Sequence, residues 1–353
     1  MPITSKHIQK IFILLFLVAL ITPTIVSIAN LEKEKTNSEN RKKPKLTINN
    51  IDNYYNSNFG LRQTLSDFYI HIKYKILNES PLPTKIIVGK NDFLFLGNNF
   101  KNVVKKSSGF LLFSKKELLN IKESIQEKKD WLKSKNIAFY IAIAPNKHVV
   151  YKENLPFKFS EMQTQKEQLI SYIKNEINFD IIDLGKQFAR KKTENRLYQK
   201  QDSHWNELGA FYGYQTLMNA ISKDFPIKKM ELSDYIIKSE NKIGDISKMM
   251  NLTNTKNVII LMQKNKIKID TITSNYYKDI NIDEKRFKNS TKKYKILLFR
   301  DSFSTNLLPY LNQTFGECTY IWSNKFDKDL ILKEQPDIVI LENVERYLDA
   351  FKK

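Results

Sequence analysis

The sequence predicts an α/β fold, a parallel sheet sandwiched by helices with an inserted subdomain, and three observations predict it. Apolar runs short enough to be strands alternate with amphipathic runs long enough to be helices from Ser114 to Leu341. One of those runs, Ile137 to Ile143, is almost wholly apolar, as a strand is when both faces of its sheet are covered. Between Pro226 and Lys293 the alternation breaks into polar, Lys- and Asn-rich sequence, which reads as an insert or lid.

The elements follow in order. After Lys6, His7 and Lys10 comes the uncharged, apolar stretch Ile11–Ile28, long enough for a tilted membrane helix, with the positive residues keeping its amino end in the cytoplasm. No small-x-small cleavage pattern is clear near Ile25–Asn30, Ser27-Ile28-Ala29 being the nearest approach, so an uncleaved anchor over residues 1–30 is expected, with the body outside the cytoplasm. Residues 31–50 are charged and nearly free of large apolar side chains, a solvated tether. An ordered domain is expected over 51–353, with the insert at about 226–293.

Leu61, Leu65, Phe68, Tyr69, Ile72 and Ile76 share one face of a helix, ended by Pro81 and Pro83. Lys85–Gly89 and Phe93–Gly97 read as a hairpin about Lys90-Asn91-Asp92. Helices are expected over Ser114–Lys135, Gln163–Asn178, Asn206–Ser222 (with Asn206 as N-cap) and Ser304–Phe315. Strands are expected over Ile137–Ile143, Phe179–Leu184, Tyr294–Phe299, Cys318–Trp322 and Asp337–Leu341.

Composition bounds the function. The chain has 353 residues and a formal charge of +20, which would attract any polyanion. Its lysines are nevertheless spread along the whole length, without the compact basic run or interleaved aromatics of a nucleic-acid arm, so nucleic acid is not an expected partner. The single cysteine, Cys318, excludes an internal disulfide and a multi-cysteine zinc site, and it lies within a strand-like run as a core thiol would. Neither a Gly-rich phosphate loop nor a His/Cys ligand cluster is present, so no metal or nucleotide cofactor is expected.

Acyl transfer through a serine needs a base for the hydroxyl proton and a carboxylate to hold that base in the right tautomer. Ser302 follows the strand Tyr294–Phe299 and precedes a helix, which puts it at the carboxyl edge of the sheet, where open α/β folds place their sites. His204 lies in a polar loop just before a helix, with Asp202 two residues earlier to accept from its ring. His148 remains a rival base, whereas His7 precedes the apolar segment and His71 lies on a predicted helix.

Asp202-x-His204-Trp205-Asn206 with Gly209-Ala210, then Arg300-Asp301-Ser302-Phe303 with Leu308-Pro309-Tyr310-Leu311, resembles the alginate O-acetyltransferase (AlgJ/AlgX-like, DHHW) family of SGNH hydrolase-like proteins. Gly89–Phe95 is similar to that family's hairpin, Ala144–Lys147 with Tyr151, Leu155 and Pro156 to its next block, and Glu342, Glu345, Arg346 and Tyr347 to its last. The resemblance covers about Asn58 to Tyr347. It implies an SGNH hydrolase-like, flavodoxin-like sheet with circularly permuted motif order and the triad Ser302, His204 and Asp202. It also implies O-acetylation of an exported or cell-wall polysaccharide outside the cytoplasmic membrane, with a membrane-bound O-acyltransferase as acetyl donor. An acetylesterase with the same triad, or a non-catalytic polysaccharide-binding component of a secretion complex, are the alternatives.

Asn146 is a candidate oxyanion donor, Lys147 and Arg300 are candidates to guide an acidic sugar, and Trp205 is a candidate sugar-stacking ring. Arg300 stands where many relatives have glycine, so the resemblance supplies no oxyanion donor at that position.

Overall fold

A computed structural model describes residues 5–29, 51–52, 59–159, 162–265, 267–274, 276–277 and 282–353. The expected tether, 31–50, lies outside the described residues. The chain divides into two compact units, Met1–Pro81 and Leu82–Lys353.

In the first unit, helix α1 (Ser5–Ala29) contains Lys6–Ser27, which by length and composition is apolar enough to cross a membrane. Helix α2 (Arg62–Ile70) continues into a wider-wound turn over His71–Ile76. Neither of these two segments buries a residue. Their helical spacing is therefore not matched by a buried face, and among the described residues of the expected domain the buried hydrophobic side chains begin at Ile86.

The second unit opens with a hairpin of β1 (Ile86–Val88) and β2 (Leu94–Leu96). Helix α3 (Lys115–Ser134) starts at a capping box in which Ser114 and Glu117 satisfy each other's backbone N–H groups. It leads into β3 (Ala138–Ala144). Helix α4 (Gln165–Ile177) has the same kind of box at Thr164 and Glu167 and ends on Asn178 in the left-handed conformation. The strand after it, β4, is only Ile182–Asp183, much shorter than its apolar sequence predicts, because just these two residues pair with β3. Helix α5 (Glu207–Ile221) begins as expected at Asn206, whose side chain accepts from Gly209 N–H at 2.9 Å.

The segment expected as a single insert divides in two. Its first part forms an antiparallel pair, β5 (Tyr235–Lys242) and β6 (Lys256–Gln263), joined through the short helix α6 (Asp245–Met249). Its second part is not inserted at all: β7 (Asp270–Ile272) and β8 (Glu284–Lys288) extend the main sheet as antiparallel edge strands. The remaining elements are β9 (Lys295–Phe299), α7 (Leu308–Thr314), β10 (Glu317–Ile321), α8 (Lys328–Glu334) and β11 (Ile338–Val344).

The main sheet runs β4-β3-β11-β9-β10-β8-β7, and its first five strands are parallel. Successive residues of the central strands feed opposite layers. On β9, Ile296 and Leu298 enter the layer with α5 and α7, while Leu297 and Phe299 enter the one with α3, α4 and α8. The alternation holds on β3 and β11, which is why these strands read as continuous apolar runs.

Parallel strands end on one edge. There Pro145 to Lys147 leave β3, Arg300 to Ser302 leave β9, Trp322 leaves β10 and Glu345-Arg346 leave β11. Lys166 on α4 ties that edge together, with Nζ 2.9 Å from Asp183 Oδ2 and 2.8 Å from Glu345 Oε1. Glu345 is buried, and burial raises its pKa against the opposing pull of Lys166. Replacing Lys166 with Met should cost about 3–5 kcal/mol in urea unfolding near neutral pH, because a buried carboxylate loses its partner. The loss should shrink as pH falls and Glu345 takes up a proton.

Candidate active site

The turn that carries Ser302 is fixed by the residue before it. Asp301 is buried, and its Oδ1 accepts from Phe303 N–H (2.8 Å) within the turn while Oδ2 accepts from Val344 N–H (2.8 Å) at the end of β11. One carboxylate therefore shapes the turn and bolts it to the neighbouring strand. The chain then enters a 3₁₀ turn over Phe303–Asn306 before α7, so the expected helix from Ser304 to Phe315 is split at Leu307.

The second loop precedes α5. Asp202 Oδ1 accepts from the backbone N–H of His204 (2.9 Å) and lies 2.8 Å from its ring Nδ1. On the other side of the ring, Nε2 is 2.8 Å from Ser302 Oγ. Because a carboxylate can only accept, the proton belongs on Nδ1, and the Nε2 lone pair faces the serine hydroxyl. The two loops are separated by 98 positions in sequence. They are held together by Trp205, which donates Nε1–H to Phe303 C=O at 3.0 Å, and by Asn306, whose amide donates to Trp205 C=O at 3.3 Å.

The electrostatics follow from this geometry. Burial alone would lower the pKa of His204, but the hydrogen bond and charge of Asp202, with the charge of Asp245, outweigh it and hold the imidazole above its usual value. Burial opposes ionisation of Asp202 as well, and the hydrogen bonds and charge of His204 overcome it, pulling the carboxyl down to about 2.

Residues 86–324 match the family model for the SGNH hydrolase-like domain of acetyltransferase AlgX. The chain belongs to that family. A search of curated proteins by sequence returned no match. Among solved structures, PatB1 of Bacillus cereus is 20% identical with a TM-score of 0.57, aligned over 76% of this chain and 99% of that one. A DHHW family protein from Eubacterium siraeum is 16% identical with a TM-score of 0.52, over 77% and 93%. The O-acetyltransferase domain of Pseudomonas putida AlgJ is 15% identical with a TM-score of 0.50, over 75% and 92%. At such identities these structures share the fold. The family match establishes an acetyltransferase-type SGNH-like chain.

Within this family member, four residues proposed from sequence as substrate contacts are placed as follows. Trp205 is fully buried and packs on Phe303 and Phe188, so its ring is a core anchor and not a surface for sugar. Lys147 is buried too: its Nζ donates to the carbonyls of Leu94 (2.8 Å), Lys200 (2.7 Å) and Asp202 (2.9 Å), lacing the β1–β2 hairpin to the Asp202 loop. Desolvation pushes its pKa down to about 7. Arg300 is fully buried, with Nη2 3.0 Å from Asp283 Oδ2 and Nη1 donating to Thr305 Oγ1 at 3.2 Å. Its guanidinium lies inside the protein, away from solvent, and not at the surface expected of a group that guides substrate. Asn146 donates from Nδ2 to Ser107 Oγ (3.2 Å) and accepts at Oδ1 from Arg346 (3.3 Å).

The rival base is removed by its surroundings. His148 is buried, its Nε2 lies 2.8 Å from Leu96 C=O, and desolvation pushes its pKa down to about 3. Two groups that sequence reasoning passed over stand at the site. Arg346 is buried, stacks on Phe303 and opposes protonation of His204 by its charge. Asp245, from α6, lies 3.4 Å from His204 Nδ1. Asp202, His204 and Asp245 offer donor atoms within 4.8 Å of one another, a spacing that would admit a cation, but hydrogen bonds already engage the ring Nδ1 and both Asp202 oxygens. Only Arg346 gave a sequence signal, as part of the last block of the family resemblance.

If His204 is the base that must be neutral to act, the acid limb of a kcat/KM–pH profile reports its pKa in the free enzyme. The midpoint of that limb should lie above the ordinary imidazole value of about 6.5, read with a chromogenic acetyl ester.

Proposed function

We propose that the chain is a serine O-acetyltransferase that acts outside the cytoplasmic membrane on the hydroxyls of an exported or cell-wall polysaccharide. The observation that carries the reading is the continuous hydrogen-bond path from Asp202 through His204 to Ser302 Oγ. Family membership supplies the acetyl group as cargo.

The chemistry runs in two half-reactions. Ser302 Oγ attacks the acetyl carbonyl of the donor while its proton passes to His204 Nε2, and Asp202 stabilises the imidazolium that forms. The imidazolium then protonates the leaving group as it departs, which leaves acetyl-Ser302 and a neutral ring. An acceptor hydroxyl next gives its proton to Nε2 and attacks the acetyl carbonyl. Collapse of the second tetrahedral intermediate releases the acetylated sugar and returns the proton to Ser302. Asn146 is itself buried, with Nδ2 donating to Ser107 and Oδ1 accepting from Arg346, so it serves as an oxyanion donor in this proposal only through its second amide hydrogen.

The N-terminal helix supports a membrane anchor with the body on the far side of the membrane. A membrane-bound O-acyltransferase is the acetyl donor of this proposal, since acetyl groups must reach an external serine. Trp322, not Trp205, is the ring at the sheet edge that a sugar can reach. It is 46% exposed, follows β10, and rests on the Arg300 guanidinium at 4.6 Å from the ring centroid.

Two outcomes test this. Ser302→Ala should lower acetyl transfer at least about a thousand-fold with the fold retained, and a sulfonyl fluoride should label the wild type at Ser302 alone. Labelling elsewhere, or activity that survives the substitution, rejects the serine mechanism. Trp322→Ala should raise KM for an oligosaccharide acceptor several-fold while leaving acetylation of Ser302 by a small ester unchanged. Release of acetate that no acceptor glycan suppresses would favour an esterase instead.

A further inference from the structure

The chain between β5 and β6 does more than border the site. Gly244, just before α6, lies so close to the histidine loop that a Cβ there would sit 2.0 Å from Gln201 O and 2.8 Å from Asp202 N. Ser247, fully buried, donates from its hydroxyl to Gln201 Oε1 at 2.9 Å and from its N–H to Gln201 C=O at 3.3 Å. Between them, Asp245 reaches the site itself. Its backbone N–H donates to Asp202 Oδ2 (2.8 Å), the oxygen that His204 leaves unused. Its carboxylate accepts from Ser203 N–H (Oδ1, 2.7 Å) and Ser203 Oγ–H (Oδ2, 2.5 Å), and the same Oδ2 stands 3.4 Å from His204 Nδ1.

We infer that Asp245 is a second carboxylate of the histidine, a positioning residue through which the β5–β6 insert sets the orientation and basicity of His204. The inference rests on the reading of His204 as the general base. Asp245 acts in two ways. Its backbone fixes the free oxygen of Asp202, so that Oδ1 is kept for the ring, and its side chain holds Ser203 and adds a second negative charge beside Nδ1–H. That charge favours the imidazolium that forms when Ser302 gives up its proton.

Other charged groups also face the ring. Asp202 shares its loop, Arg346 approaches from the turn after β11 and opposes protonation, and Asp301 lies under the serine turn. Lys147 sits below Asp202 and Asp245 and offsets part of their repulsion. Proximity of Asp202 and loss of solvent raise the pKa of Asp245, with burial the larger cause, while His204 and Ser203 draw it back. Two carboxylates thus oppose one imidazole, and one of them arrives from a segment more than forty positions away.

The test is a titration of the four histidines in the full chain, purified in detergent and labelled with ¹³C at the imidazole ε1 carbon. His204 is assigned from the spectrum of His204→Gln. In Asp245→Asn, which keeps the shape and the backbone donor, the His204 midpoint should move to lower pH, while His148 stays as in the wild type. Asp245→Ser serves if the asparagine variant does not fold, and the same direction is expected. Ser203→Ala keeps both carboxylates but removes the hydroxyl that stands 3.3 Å from Nδ1, so its midpoint should move less than that of Asp245→Asn. The acid limb of esterase activity should move with the titration in Asp245→Asn, with kcat lowered about 10-fold, as for loss of an outer partner that orients a site group. An unchanged or higher His204 midpoint in both Asp245 variants overturns the inference. The titration needs no turnover, so absence of acetyl transfer in the wild type would sink the proposed activity and leave this result standing on its own.

Discussion

One imidazole, bonded on both sides, is the constraint on which the rest of the structure depends. The ring of His204 bridges Asp202 and Ser302 at 2.8 Å each, and a bridge of that length tolerates little slack. A general base displaced by an ångström no longer reaches its proton. The two loops that must meet leave different strands and helices, so the fold has to fix both. It does so with Trp205, a large buried ring that packs under Phe303 and donates to its carbonyl. The residue next to the histidine thus fixes the geometry in which the ring meets Ser302.

Around that bridge lie six buried ionisable side chains. Asp301, Glu342, Glu345, Lys147, Arg300 and Arg346 all sit at the carboxyl edge of the sheet with little or no exposure. Buried ionic groups are poor sources of stability, since desolvation offsets most of their attraction. They do impose direction. Asp301 holds the serine turn to β11, Glu342 accepts from Ser304 Oγ at 2.6 Å, and Lys147 gathers the carbonyls of Leu94, Lys200 and Asp202. These residues position a site whose reacting groups are few.

Burial also separates the surroundings of some residues from those their local sequence suggests. Lys147, Arg300 and Trp205 follow strands or loops in polar surroundings, where charge and aromatic rings are ordinarily solvated and open to ligands. At this edge, however, the hairpin β1–β2, the turn after β11 and the helix α5 close over the strand ends. Trp322, which the sequence placed inside a strand, instead lies just past β10 with its ring exposed. Likewise β4 shrank to two residues because an apolar run becomes a strand only where a neighbour offers it backbone partners.

By itself, the sequence determined the layered α/β architecture, because the periods of 3.6 and 2 in apolar residues dictate which surfaces must be covered. It also determined the helix start at Asn206, named as the cap, and placed those near Ser114 and Gln163, where local capping boxes at Ser114 and Thr164 set them, and it marked Ser302, His204 and Asp202 as candidates for acyl chemistry. The tertiary structure alone decided that those groups meet, that β7 and β8 join the main sheet, and that Asp245 stands beside the ring. The reason is physical: periodicity and capping act over a few residues, whereas contacts between distant loops depend on how whole strands register and close.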